Sequence, residues 1–268
     1  MTNYNYIAGA IQLGLFAFLL VWSMSELSGD ASGSLAFPVG EYNGTDQGQV
    51  LGEVPLSALV VLLAIFTLVT GLVHIFAYAR STGRYQSDVD KGNNWMRWVE
   101  YSITASIMMF VIAITCGTHS VDTLVLVVAS TLCCMICGYL SERTAVSDRR
   151  VSMLATIVGW ILLLASFGTI LRRFGSIVGQ APEGAGPPSY VWAIVVSMVL
   201  LFMSFGFIHL RHMYAQWTTP DTTSRAFHRR IEASYTVTSM ISKILLVVLL
   251  ASGLYARDAM SENELATP

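Results

Sequence analysis

Long apolar runs alternate with short polar breaks along the whole of this chain. The runs occupy about 5–26, 54–79, 94–117, 121–141, 151–171, 189–211 and 230–256. A helix needs roughly 20 predominantly apolar residues to cross the hydrocarbon core of a bilayer. The pattern therefore predicts seven spanning helices whose backbone polar groups are satisfied within each segment. The breaks are short, with one exception at 27–53. A connection of that length is unusual unless it has structure of its own. Asn43-Gly44, flanked by Tyr42 and Thr45, carries the two-residue type I′ turn signature, so this loop is expected to fold as a small β-hairpin. No internal repeat or second domain interrupts the pattern, and residues 1–268 read as one all-α membrane domain. The N-terminal MTNYNY has no basic residue ahead of the first apolar run, which reads as a retained span and not a cleaved signal.

Composition agrees with lipid as the main solvent. The chain is 54% hydrophobic and 12% charged, with mean hydropathy +0.60. Soluble domains carry about 25% charged residues. A net charge of −2 offers no footprint for a nucleic acid. The four cysteines (Cys116, Cys133, Cys134 and Cys137) all lie in apolar runs, so no disulfide framework is expected. Cys134 and Cys137 have CxxC spacing, but with no basic neighbour to stabilise a thiolate they read as packing.

Charge also orients the chain. With seven spans, the N-terminus shares a side with the second, fourth and sixth loops, which with their edges carry 11 Lys and Arg. The opposite side carries Arg172, Arg173 and Arg257, a count of 3. The positive-inside rule then predicts a cytoplasmic N-terminus and an extracellular C-terminus in the cell membrane.

One lysine is out of place. Lys243 lies mid-way along the seventh run, in TVTSMISKILLVVLLASG, about 20 Å along the helix from Arg230. A charge at that depth is costly. A buried lysine is also a good amine nucleophile, suited to Schiff-base formation with an aldehyde. On its own it fits either retinal attachment or a lysine paired with a carboxylate in a polar cavity, as in ion-coupled transporters. Glu100, in the third run, is the candidate counter-charge. It equally fits an interfacial glutamate paired with Arg97 one turn away.

Tyr101, Thr104, Ala105 and Met108 share a broad helical face with Glu100. Ser239, one turn before Lys243, is placed either to hydrogen-bond the lysine nitrogen or to back-bond to its own helix. His74 in the second run is a core histidine or a member of the polar network around Lys243. Trp160, Phe202, Phe205 and Phe207 are available as aromatic walls, though their spacing alone is that of ordinary packing. His209 and His212, beside Arg211, read as a solvated basic helix end with too few ligands for a metal. Glu142 and Glu232 lie near run ends, which leaves Glu100 as the one carboxylate expected well inside a span.

These residues resemble a known family, the heliorhodopsins. Arg97-x-x-Glu100-Tyr101-Ser102 with Thr104-Ala105-Ser106 and Met108 is similar to their counterion stretch. Glu232-x-x-Tyr235-x-x-x-Ser239-x-x-x-Lys243 is similar to their retinal-lysine stretch. The resemblance implies all-trans retinal held as a Schiff base on Lys243, with Glu100 as counterion and Ser239 and His74 in the adjoining polar network. It further implies that Met135, Gly138, Trp160 and Phe205 line the retinal pocket, and that the chain forms a homodimer with the first-loop hairpin at the contact. Two departures stand out. The family commonly carries a first-helix histidine three residues before a glutamine, and here Gln12 is preceded by Gly9. Gly159 stands where a proline often precedes the fifth-helix tryptophan.

The function expected is a non-pumping photoreceptor, not an enzyme, that relaxes between two helix arrangements and signals to a cytoplasmic partner. Pumping needs titratable relays on both sides of the lysine. The alternatives are a light-gated proton or ion channel, and a non-photic membrane receptor or enzyme that uses Lys243 on another ligand.

Overall fold

A computed structural model describes residues 2–28, 36–41, 49–79, 82–181, 187, 189–219 and 224–265. Helix α1 is Thr2–Ser28. Strands β1 (Ala36–Glu41) and β2 (Gln49–Pro55) form an antiparallel hairpin. Helix α2 (Leu56–Leu72) runs on into a π-helical stretch, Val73–Ala79. There follow α3 (Thr82–Asp90), α4 (Trp95–Thr115), α5 (Val121–Thr144), α6 (Arg149–Gln180), α7 (Ser189–Thr218) and α8 (Arg225–Leu265). Among the described residues, seven helices are long and apolar enough to cross a membrane: α1, α2, α4, α5, α6, α7 and α8.

Polar caps set where the spans begin. Asn94, Ser120 and Asp148 each accept a hydrogen bond from a first-turn N–H of α4, α5 and α6. Gly117, at φ +80°, supplies the left-handed residue just past the end of α4. Several helices outrun the apolar runs that predict them, because polar turns carry α6 to Gln180, α7 to Thr218 and α8 back to Arg225. The core draws on all seven spans, most heavily on α2, α4, α7 and α8, through residues such as Phe66, Met109, Ile112, Ile194, Met198 and Leu246, with Leu19, Val127 and Phe167 from α1, α5 and α6.

Three local features correct or refine the sequence reading. The connection between the second and third spans contains a helix, α3, whose nine residues are too few to register as a run. Tyr85 and Val89, four apart on one face, pin it to the bundle, each 2% exposed. The hairpin is present, but Glu41 pairs with Gln49, whereas a two-residue turn on Asn43-Gly44 would pair it with Asp46. A bulge at Val39/Gly40 and docking on the α4–α5 turn, where the Gly40 N–H donates to the His119 carbonyl at 2.9 Å, go with that register. The expected turn, in 42–48, lies outside the described residues. Finally, α1 and α2 cross closely at Gly9 and Gly71. A Cβ on Gly71 would lie 2.8 Å from Leu13 and 3.3 Å from the Gly9 carbonyl. Small residues at such a crossing let two backbones approach.

Candidate functional site

Lys243 is 2% exposed and faces the centre of the bundle. Its Nζ donates to Thr70 Oγ1 at 2.6 Å, to Glu100 Oε1 at 3.0 Å and to Ser239 Oγ at 3.0 Å. An ammonium has three donors, and all three are used. The acceptors come from α2, α4 and α8, so the lysine ties three helices together. Glu100 is itself 2% exposed. Nζ also lies 5.6 Å from the centre of the Tyr101 ring, within cation–π range. Ser239 faces the lysine, and it is Ser242 that back-bonds, to the Ser239 carbonyl.

An apolar cavity opens from Lys243 between α4, α5, α6, α7 and α8. Tyr101, Thr104 and Met108 line it from α4, and Met135 and Gly138 from α5. Trp160, Phe202 and Phe205 form its far walls, and Ser239 lies beside the lysine. Phe207 does not reach it. That ring is 60% exposed and packs on the outer side of Trp160, 5.4 Å between centroids. Cys134 lines the cavity and donates its thiol to the Gly159 carbonyl at 3.3 Å. Gly138 makes room for a wall, since a Cβ there would run into the Trp98 ring. His74 is outside the cavity, with its Nδ1 3.2 Å from Asn5 Oδ1, yet close enough for the charges of Glu100 and Lys243 to act on the ring.

Thr70, Trp98, Thr156, His209 and Tyr235 also belong to the site, and sequence reasoning missed them. Tyr235 carried a signal, since it lies four and eight residues before Ser239 and Lys243 on one helical face. Thr70 and His209 carried none.

A second buried cluster lies on the N-terminal side of the lysine. Arg97 does not pair with Glu100. Its two terminal nitrogens pair with Glu142 of α5 and Glu232 of α8, and its guanidinium stacks 4.0 Å from the Tyr235 ring centre. Trp98 Nε1 donates to Glu142 at 2.8 Å and Asn94 to Glu232 at 2.7 Å. His212 Nδ1 is 3.4 Å from Glu142, and its Nε2 is 3.1 Å from His228 Nδ1. His209 bridges Ser141 (2.8 Å) and the Tyr235 hydroxyl (3.2 Å).

Two expectations are corrected here. Glu100 is not alone, because Glu142 and Glu232, each 4% exposed, are buried carboxylates as well. His209 and His212 are not a solvated end, at 8% and 3% exposed. They are covered because α7 continues to Thr218 and the turn after α3 folds over them, where Gln216 donates to the Gly92 carbonyl at 3.2 Å. Among the described residues, no group of three or more His, Cys, Asp or Glu is arranged to hold a metal ion.

The fold resembles solved rhodopsin structures. Exiguobacterium sibiricum rhodopsin superposes with TM-score 0.66 at 10% identity, over 97% of each chain. The transmembrane domain and linker region of Salpingoeca rosetta rhodopsin phosphodiesterase superposes with TM-score 0.64 at 12% identity, over 100% of this chain and 76% of that one. At such identities the likeness is one of fold alone. No curated protein matches the sequence. The profile of the family described as Heliorhodopsin matches residues 1–254. The chain belongs to the heliorhodopsin family. Heliorhodopsins are retinal-binding, light-sensing, multi-pass membrane proteins, and the family is not enzymatic. The sequence resemblance and the seven-helix fold with its small hairpin both agree with this membership.

Proposed function

We propose that this heliorhodopsin is a non-pumping light sensor that carries all-trans retinal on Lys243, with Glu100 as the counterion. The observation that carries the reading is the joint placement of Lys243 and the cavity. Among the described residues, the one lysine buried in a span sits at the edge of an apolar cavity with a carboxylate 3.0 Å from its nitrogen. Pockets with apolar walls and few polar groups suit a small apolar molecule. The residues present therefore fit a long polyene aldehyde: Trp160, Phe202 and Phe205 as walls, Met108 and Met135 as adaptable packing, and Gly138 as the recess for Trp98. Retinal bound there supplies visible absorption and a light-driven change of shape.

The chain's own residues supply the rest. As an unlinked ammonium, Lys243 satisfies three acceptors, but a linked, protonated nitrogen would keep a single N–H. Glu100 would hold that donor by charge. The Thr70 hydroxyl, which accepts from the lysine, also hydrogen-bonds Glu100 with its own O–H and so supports the carboxylate. Any displacement of the lysine nitrogen changes which of the three acceptors it faces, and those acceptors stand on three helices. That links the pocket to helix arrangement.

The distribution of buried charge supports the non-pumping part. Among the described residues, every buried charged or histidine side chain lies level with Lys243 or on its N-terminal side. Toward the other end the core is mainly apolar, through Met109, Ile112, Ile194, Leu246 and Leu250, with hydroxyls such as Ser106 and Ser166 but no buried charged or histidine side chain among the described residues. A proton relay needs titratable groups on both sides. A light-gated channel would need a hydrated path and not a full relay, and photocurrents test it. We place the N-terminus in the cytoplasm by the 11-to-3 charge count, which turns the buried polar cluster toward a cytoplasmic signalling partner. A homodimer joined at the hairpin end completes the proposal.

Adding all-trans retinal to the apoprotein should give a visible band that Lys243→Ala abolishes and Glu100→Gln moves to longer wavelength. A band that persists in Lys243→Ala would sink the assignment. Photocurrents in voltage-clamped cells should be absent at all voltages.

A further inference from the structure

Asn5 and His74 make a buried contact that neither the lysine node nor the Arg97 cluster uses. Both are 3% exposed, and His74 Nδ1 lies 3.2 Å from Asn5 Oδ1. A carboxamide oxygen only accepts hydrogen bonds, so the ring nitrogen facing it must carry the hydrogen. The amide is held from its other side too, since it hydrogen-bonds the hydroxyl of Tyr85, which is 2% exposed. Asn5 thus meets partners on two elements, His74 through Oδ1 and Tyr85 through the rest of its amide. His74 stands in the π-helical stretch after α2, one turn beyond Thr70, which bonds the lysine. Helical irregularities of this kind concentrate at functional sites.

Gly9 lies four residues after Asn5 on the same face of α1. A Cβ at Gly9 would press on the Ile75 side chain and lie 3.2 Å from the Gly71 carbonyl. The α1–α2 crossing thus excludes a side chain at position 9, and the α1 group that meets His74 is Asn5.

Resting on the retinal light-sensor reading, we propose that Asn5 is a positioning residue that holds His74 as the Nδ1–H tautomer, which makes Nε2 the atom through which the ring takes up a proton. In a neutral imidazole one nitrogen is donor and the other acceptor, and the hydrogen bond of one decides the role of the other. A proton that arrives on Nε2 makes an imidazolium that keeps its Nδ1–H on Asn5. The ring takes the charge without turning, and Tyr85 ties the arrangement to α3.

The test is nitrogen-15 NMR of histidine in the full chain in lipid nanodiscs, in the dark, with and without added all-trans retinal. His74 is assigned by its loss in His74→Phe. The expected spectrum has a pyrrole-like Nδ1 and a pyridine-like Nε2. Asn5→Asp, which keeps an acceptor, should preserve that pattern, as should Tyr85→Phe, which leaves Asn5 in place. Asn5→Leu, which cannot accept, should exchange or mix the two positions. A purely structural Asn5 would not separate Asp from Leu. A pyridine-like Nδ1 in the native protein, or an unchanged pattern in Asn5→Leu, overturns the proposal. The visible band reports separately on the retinal reading, and the retinal-free spectra decide the tautomer even where no band forms.

Discussion

Removing Arg97 should cost far more than removing an ordinary charge. The perturbation is Arg97→Leu, which keeps an apolar body over Tyr235 and deletes the guanidinium. Arg97 is 2% exposed and is the shared partner of Glu142 and Glu232, each 4% exposed. Its loss leaves two buried carboxylates facing each other, with only Trp98, Asn94 and the His212 ring near them. Breaking a buried pair from one side costs about 3–5 kcal/mol, most of it the penalty for the charge left behind. At about 1.4 kcal/mol per factor of ten, the folded-to-unfolded ratio falls roughly 140-fold to 3,700-fold. The assay is unfolding in a titrated denaturing detergent, followed both by the visible band and by tryptophan fluorescence, so that loss of retinal and loss of fold are separated. The decisive companion is the triple variant Arg97→Leu, Glu142→Gln, Glu232→Gln, in which the orphaned charges are gone. It should recover most of the lost stability. A single variant that costs under about 1 kcal/mol, the value of a solvated pair, would mean that water reaches the cluster. A triple variant no better than the single would mean that the guanidinium acts through packing and not through charge.

Two further outcomes follow from the geometry. Gly138→Ala should destabilise by about 1–3 kcal/mol, as overpacking does, because its Cβ enters the Trp98 ring; it should also move the visible band, since Trp98 lines the cavity. Gly168→Ala, where nothing lies within 4 Å of the added atom, is the control, and equal effects of the two on the unfolding midpoint would refute the packing argument. Hydrogen bonds from Arg229 at 2.7 and 2.9 Å hold the Asp90 carboxyl of α3 below the usual carboxylate range. Its contribution to stability is therefore present above about pH 4, the unfolded value, and is lost as pH falls through the depressed folded value. Arg229 is largely solvated, so the effect is small and salt-sensitive: Asp90→Asn should flatten the acid side of the thermal-midpoint curve slightly at low salt and not at high salt.

What could be read from the sequence follows a simple physical line. Lys243 announced itself because a charge inside an apolar run has few innocent explanations. Glu100 followed as the carboxylate that a buried lysine calls for, Ser239, Tyr101, Thr104 and Met108 by helical spacing, and Met135, Gly138, Trp160 and Phe205 through the resemblance. Thr70 could not be read, because a threonine in an apolar helix ordinarily back-bonds to its own carbonyls. Thr67, one turn earlier, does so, bonding the Leu63 and Ala64 carbonyls. Only the rotation of α2 in the bundle separates the two. The Arg97 cluster could not be read either: its members are 45 and 135 positions apart, and each sits near the end of an apolar run, where a charge is normally solvated. Burial there comes from helices that outrun their apolar segments and from the turn after α3, neither of which has a hydrophobic signature.

That miss changes the ground on which a pump is argued against. From the sequence, the reasoning was that one inner carboxylate has no relay. Among the described residues there are three buried carboxylates and four buried histidines, so scarcity is no argument. Position is. Glu142, Glu232, His209, His212 and His228 all lie on the N-terminal side of the lysine, and the hydrogen-bonded groups there lead toward one face only. Among the described residues, the buried groups on the other side are hydroxyls such as Ser106, Thr118 and Ser166, with no buried carboxylate or histidine. A proton relay needs titratable groups on both sides of the lysine. The density of buried titratable groups, taken alone the mark of a transporter, is one-sided here, and the proposed non-pumping reading rests on that one-sidedness and not on their number.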